Sequence, residues 1–141
     1  MAVTNIYDAL LRDEGFRSSA FQDSLGFWTI GSGICIDQRK SCGITAEENR
    51  YLLTNRLTPI QAQISEQFPW TDVLDPVRLA VLWNMGYNLG FNGLAQFRNF
   101  LGALQQGLYS DAAQELLNSE WATQVGARAQ RLALQISSGS W

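Results

Sequence analysis

Histidine is absent from the 141 residues of this chain. That removes Ser-His-Asp and Cys-His catalysis at once, because both need an imidazole base. Cysteine occurs only as Cys35 and Cys42, too few for a zinc site on their own, and neither a metal nor a cofactor is expected. The pair either closes a short loop by a disulfide or stays as two reduced thiols, according to the compartment. No apolar run is long enough to span a membrane. The opening MAVTNIYDALLRDE carries Asp8 and Arg12 where a signal peptide needs an unbroken apolar core. Synthesis in the cytoplasm, without a signal peptide and without membrane insertion, is therefore expected. Repeats and long linkers are missing too, which favours one domain. The formal charge of −3 lacks the basic excess that nucleic acid demands of a partner.

What the chain does have is aromatics and one dense stretch. Five Trp, four Tyr and seven Phe are generous for this length. They serve a core, or a core plus a surface that stacks on flat ligands. The dense stretch runs from Leu10 to Gly33, LLRDEGFRSSAFQDSLGFWTIGSG. Thr4 or Asn5 can cap a first helix, with Ile6, Tyr7, Leu10 and Leu11 as its buried stripe and Gly15 as its stop. Glu14 then sits in the last turn, on the face of Leu10 and Leu11. Burial there and the negative helix end both disfavour a charged carboxylate, which suits a general acid. The same residues also read as an ordinary solvated Asp13-Glu14 pair. Ser24-Leu25-Gly26 is turn chemistry between the strand formers Ala20–Asp23 and Phe27–Ile30, so a hairpin is predicted. Alternation puts Thr29 on the face opposite Trp28 and Ile30. Taken singly, Asp23 is a turn residue and Thr29 a strand former; their grouping with Glu14 gives them interest.

The polar connection Asp37–Gly43 leads to Thr45 and Glu48, a capping box. Leu52, Leu53, Leu57, Ile60 and Ile64 continue a helical period, with a kink or break expected near Arg56–Thr58 because Pro59 lies inside. Asp75-Pro76 starts another helix. Its buried face is read as Leu79, Ala80, Leu82, Trp83 and Tyr87, with an exit at Asn88–Gly90. Phe91–Gln106 is the next helix, Ser110 caps a third, and a last one covers Val125–Ile136. Trp141 is expected to dock back on the core. The fold class is α+β: a small lobe with a β-hairpin, a long helix, and a larger all-helical lobe.

Glu14 and Asp23 lie nine residues apart, one on a helix end and one on a hairpin. Inverting hydrolysis of a glycosidic bond needs such a pair, typically about 6.5–9.5 Å apart, with water between. Thr29 could hold that water by hydrogen bonding.

The spacing Glu14-x8-Asp23-x5-Thr29, the strings DEGFR and Gly26–Gly33, the run Trp83–Gly90, and Trp121 with Arg128-Ala129-Gln130-Arg131 together resemble the phage-type lysozymes. These are the T-even phage lysozyme-like muramidases, glycoside hydrolase family 24 endolysins. The likeness covers nearly the whole chain in order. It implies one lysozyme-like domain over 1–141: about 14–69 a small catalytic lobe with the connecting helix, and about 70–141 plus helix 1–13 a larger helical lobe. It implies Glu14 as general acid, Asp23 as the residue that positions or deprotonates water, Thr29 as its helper, and Arg128 reaching Glu14. Sugar contacts would fall at Cys35, Tyr87, Phe100 and Glu115; of these Cys35 stands for an aliphatic residue of the family, Phe100 for a small hydroxyl and Glu115 for an amide. The implied function is an endolysin, monomeric, that cuts the β-1,4 bond between N-acetylmuramic acid and N-acetylglucosamine in bacterial peptidoglycan. It would reach the wall, in the periplasm, through a separate membrane pore protein. Rival readings are a lytic transglycosylase, which has no use for a water-holding Asp23 and Thr29, and a catalytically dead wall-binding module.

Overall fold

The computed structural model describes residues 2–141. Among the described residues the fold is α+β, mostly helical with one three-stranded antiparallel sheet. Two compact units divide the chain, Met1–Tyr51 and Leu52–Trp141, and the boundary falls inside its longest helix.

In the first unit, α1 (Ile6–Glu14) begins at Asn5, whose side chain accepts the Asp8 N–H at 3.0 Å. The Asp8 carboxylate in turn accepts from the Thr4 N–H and hydroxyl. The apolar stripe of α1 is not buried: Ile6 is 73% exposed, and the helix has no buried residue. Its apolar residues keep the helical period without being covered. Strands β1 (Arg17–Gln22) and β2 (Trp28–Gly31) form the predicted hairpin, with Phe21 opposite Thr29 and Gln22 opposite Trp28. A third strand, β3 (Ile34–Cys35), pairs Cys35 with Thr29 and Ile34 with Ile30. At two residues it leaves no period to read.

Among the described residues this unit buries no apolar side chain; its buried residues are Thr29 and Asp37. A piece of chain this small cannot build a large core. Cross-links take that place: a Cys35–Cys42 disulfide, which decides the alternative left open above, and a cluster of hydrogen bonds on Asp37.

Helix α2 (Ala46–Gln67) starts with the predicted capping box. Thr45 N–H donates to Glu48 Oε2 at 2.8 Å and Glu48 N–H to Thr45 Oγ1 at 3.1 Å. Pro59 does not break it. Asn55, whose carbonyl the proline leaves without a partner, is exposed, so water can satisfy it.

The second unit holds the hydrophobic core. Helix α3 (Pro76–Ala95) begins at Asp75, which accepts the Arg78 N–H at 3.1 Å, and it is interrupted at Gly90, φ 75°. Helices α4 (Arg98–Gln105), α5 (Tyr109–Leu117), α6 (Glu120–Val125) and α7 (Ala127–Ser138) follow. Ile64, Val81, Leu82, Met85, Leu94, Phe100, Leu104, Leu116 and Ile136 are fully buried, each contributing about 1.5–3 kcal/mol. The buried residues of α3 are Val81, Leu82, Met85, Gly86 and Leu94; of the predicted face Leu82 is buried, Leu79, Ala80 and Trp83 are half-buried, and Tyr87 is exposed. Apolar residues surround most of α3, so periodicity alone cannot choose the side. Ser110 lies inside α5 and does not cap it, the run expected as one helix over Phe91–Gln106 is divided between the end of α3 and α4, and the expected last helix is α7, starting two residues later than predicted with the short α6 before it. Trp141 is 84% exposed and does not dock. Arg78 fastens the end of α7, donating to the Ile136 carbonyl at 2.7 Å with its guanidinium 3.5 Å over the Tyr109 ring.

Candidate active site

Glu14 closes α1. Gly15 follows at φ 72° and donates its N–H to the Leu11 carbonyl at 2.9 Å, which turns the chain sharply into β1. The Glu14 side chain is exposed, so the burial expected for it is absent, as α1 offers no buried neighbours. It is nonetheless located. Its carboxylate rests on the backbone of Gly33, in the turn between β2 and β3, so close that a Cβ at Gly33 would stand 2.6 Å from Oε2. Gly33 also has φ 73°. The glycine thus serves the turn and makes room for the acid.

Asp23 ends β1. Its Oδ1 accepts the N–H groups of Leu25 and Phe27, both at 2.9 Å, which shapes the turn. Neither bond uses Oδ2. Thr29, on β2 and 5% exposed, donates its hydroxyl to the Phe27 carbonyl at 3.1 Å. With its proton committed there, the oxygen is left as an acceptor. Glu14, Asp23 and Thr29 all belong to the first unit, around the two hairpin turns of one sheet.

The other expected residues are dispersed. Cys35 pairs with Thr29 in the sheet, its sulfur tied to Cys42. Tyr87 and Arg128 line one cavity of about 300 Å³ in the second unit, with Trp83 and Asn84. Arg128 directs its Nε and Nη2 to Asn84 Oδ1, at 2.9 and 2.7 Å. Phe100 and Glu115 line a separate groove of about 470 Å³. Expected as a sugar contact, Phe100 is instead 1% exposed: its ring is core, because an aromatic of that volume fills the interior where a small hydroxyl would not. Glu115 is exposed at that groove. Trp121 lies beside them, its indole N–H donating to Asn88 Oδ1 at 2.8 Å.

Asp37 was read only as part of a polar connection, and it is the one buried carboxylate among the described residues. The local signal was an aspartate with an arginine two residues on, the spacing of a side chain that bonds its own backbone. Arg39 first, then the Trp28 N–H, hold the Asp37 carboxyl well below the usual carboxylate range. Among the described residues no three His, Cys, Asp or Glu side chains cluster as metal ligands would, and no helix is long and apolar enough to cross a membrane.

Residues 12–135 match the phage lysozyme family. A probable T4-type lysozyme 1 of Dictyostelium discoideum is 24% identical, covering 98% of this chain and 96% of that protein. A probable T4-type lysozyme 2 of the same organism is 23% identical over the same shares. The pre-baseplate central spike protein Gp5 of Enterobacteria phage T4 is 28% identical over 94% of this chain but only 28% of its own length. With a matched span of that extent, the chain belongs to the phage lysozyme family. It is a lysozyme-type glycosidase by family.

Proposed function

We propose that the protein is a muramidase that hydrolyses the β-1,4 bond between N-acetylmuramic acid and N-acetylglucosamine, with inversion, in the lysis of a host cell. Glu14 protonates the leaving oxygen. Asp23 orients or deprotonates the attacking water through Oδ2, and Thr29 accepts a hydrogen bond from that water. Arg128, its fork oriented by Asn84, is the supporting cation, and Tyr87, Glu115 and the Cys35 backbone are the sugar contacts. Access to the wall is through a separate pore in the membrane.

The observation that carries this reading is the division of labour in the first unit. Oδ1 of Asp23 and the proton of Thr29 are spent on the hairpin, which leaves one acceptor on each for a water. A transglycosylase would have no use for either.

The test is cleavage of purified peptidoglycan followed by mass analysis of the products. Reducing ends support hydrolysis, anhydro ends a transglycosylase, and no release a binding module. Proton NMR of the first product anomer, α for inversion, decides the stereochemistry. Glu14→Gln is expected to lose roughly 10²–10⁴-fold in rate with an unchanged circular dichroism spectrum. Activity near the parent's would remove Glu14 from its role.

A further inference from the structure

We propose that Asp37 is a positioning residue for the reaction, acting on Asp23 and Thr29 together through the single peptide group between Phe27 and Trp28. The activity part of this rests on the muramidase reading above.

A peptide group is planar and rigid, so its carbonyl and its N–H move as one body. The carbonyl of the Phe27–Trp28 peptide accepts two hydrogen bonds. One comes from the Asp23 N–H at 2.9 Å, the other from the Thr29 hydroxyl at 3.1 Å. The N–H at the opposite end of the same peptide donates to Asp37 Oδ2 at 2.9 Å. Tilting this plane would disturb the water-handling aspartate and its threonine helper at once. Asp37 holds the N–H end of the peptide as a handle against such a tilt.

The handle is itself fixed. Asp37 is 3% exposed. Its Oδ1 accepts from the Arg39 N–H and Nε, each at 2.9 Å, and its Oδ2 accepts from Arg39 Nη2 at 2.6 Å. The same Nη2 donates to the Gly26 carbonyl at 2.7 Å, so the fork spans from Asp37 to the turn that follows Asp23. The guanidinium also lies 5.1 Å from the Phe27 ring centre. Its charge is favoured first by Asp37 and, more weakly, by Asp23. The Asp37 carbonyl accepts the Lys40 and Cys42 N–H groups, and the Ile36 N–H donates to the Trp28 carbonyl at 2.9 Å. The Cys35–Cys42 disulfide brackets the whole loop. A charged, bidentate, desolvated carboxylate is a stiff clamp where a water-exposed hydrogen bond would not be.

Asp37→Ala removes the handle, while Asp37→Asn keeps an oxygen that can accept the Trp28 N–H and loses the ion pair. Kinetics on defined peptidoglycan oligomers, at a temperature where every variant is folded, should show Asp37→Ala losing roughly 10–100-fold in kcat, as expected for a reacting group displaced by about 1 Å. KM should stay within about twofold, since the water is used only in the transition state, and Asp37→Asn should keep at least about a third of the parent kcat, well above Asp37→Ala. A merely structural role would lower melting temperature in both and leave kcat per folded molecule unchanged. Amide hydrogen exchange is read on the same samples. The Trp28 and Asp23 amides should exchange at least about tenfold faster in Asp37→Ala while Ala9 in α1 does not change. In Asp37→Ala, a kcat within threefold of the parent, a KM that rises as kcat falls, or parent-like exchange at Trp28 and Asp23 would each overturn the proposal. If the parent itself cleaves no peptidoglycan, the muramidase reading fails, and the exchange data alone decide the clamp.

Discussion

Gly33→Ala isolates the contact that locates the proposed acid. An added Cβ would stand 2.6 Å from Glu14 Oε2 and 3.1 Å from its Cδ. Ordinary carbon–oxygen contact needs the carboxylate to retreat by roughly 0.7 Å. The side chain is exposed and can swing away cheaply, so the retreat costs position rather than stability. A displacement of that order takes roughly 10–100-fold from kcat. Alanine at φ 73° adds left-handed strain of about 1–2 kcal/mol. For a chain of this size that lowers the melting temperature by a few degrees, about 3–8 °C. Gly107→Ala provides the comparison. Gly107 has φ 75° and nothing within 4 Å of its would-be Cβ, so it carries the strain without the displacement. Both variants should lose similar thermal stability by calorimetry, and only Gly33→Ala should lose turnover on peptidoglycan at 25 °C. Equal turnover in the two variants would refute the idea that Gly33 holds Glu14 in place.

Two further outcomes follow from the same unit. The folded-state carboxyl of Asp37 is depressed by Arg39 and the Trp28 N–H. Its contribution to stability is therefore fully present above the unfolded value, near 3.9, and is lost as pH falls below that toward the folded value. The melting-temperature gap between the parent and Asp37→Asn should be constant from pH 7 to about 5 and narrow on further acidification; a gap that widens toward pH 2 would contradict the assignment. Reducing the Cys35–Cys42 disulfide frees a loop of separation 7, which the chain-entropy account values at about 2–3 kcal/mol. Denaturant unfolding with and without a phosphine reductant should show that loss in the parent and none in Cys42→Ser, and a parent midpoint indifferent to reductant would count against it.

Features settled within one turn of chain were legible beforehand. Asn5, Thr45 with Glu48, and Asp75 cap where they were expected to, because each capping bond spans three residues and needs nothing from elsewhere. The hairpin turn at Ser24-Leu25-Gly26 belongs to the same class. The candidate triad was visible as a spacing of residue types, strengthened by a family likeness that runs the length of the chain. The covered faces of α1 and α3 were not legible. The stripe on α1 has the right period and is exposed, while α3 is apolar on most sides and buries Val81 and Met85 instead of Leu79 and Tyr87. The role of Asp37 is not legible locally, because the Trp28 N–H it accepts lies nine residues away and its partner Arg39 reaches the Gly26 carbonyl thirteen residues back.

Local chemistry in the sequence was thus enough for the hairpin and for the caps at Asn5, Thr45 and Asp75, since each depends on neighbours a few positions off, while the family was legible from a likeness that runs along the chain. The tertiary structure alone decided which side of α1 and of α3 is covered, that Cys35 meets Cys42, that Phe100 belongs to the core, and that one peptide plane links Asp37 to Asp23 and Thr29. Those outcomes depend on groups brought together by folding, and a spacing along the chain does not encode which of several possible neighbours will occupy a given side.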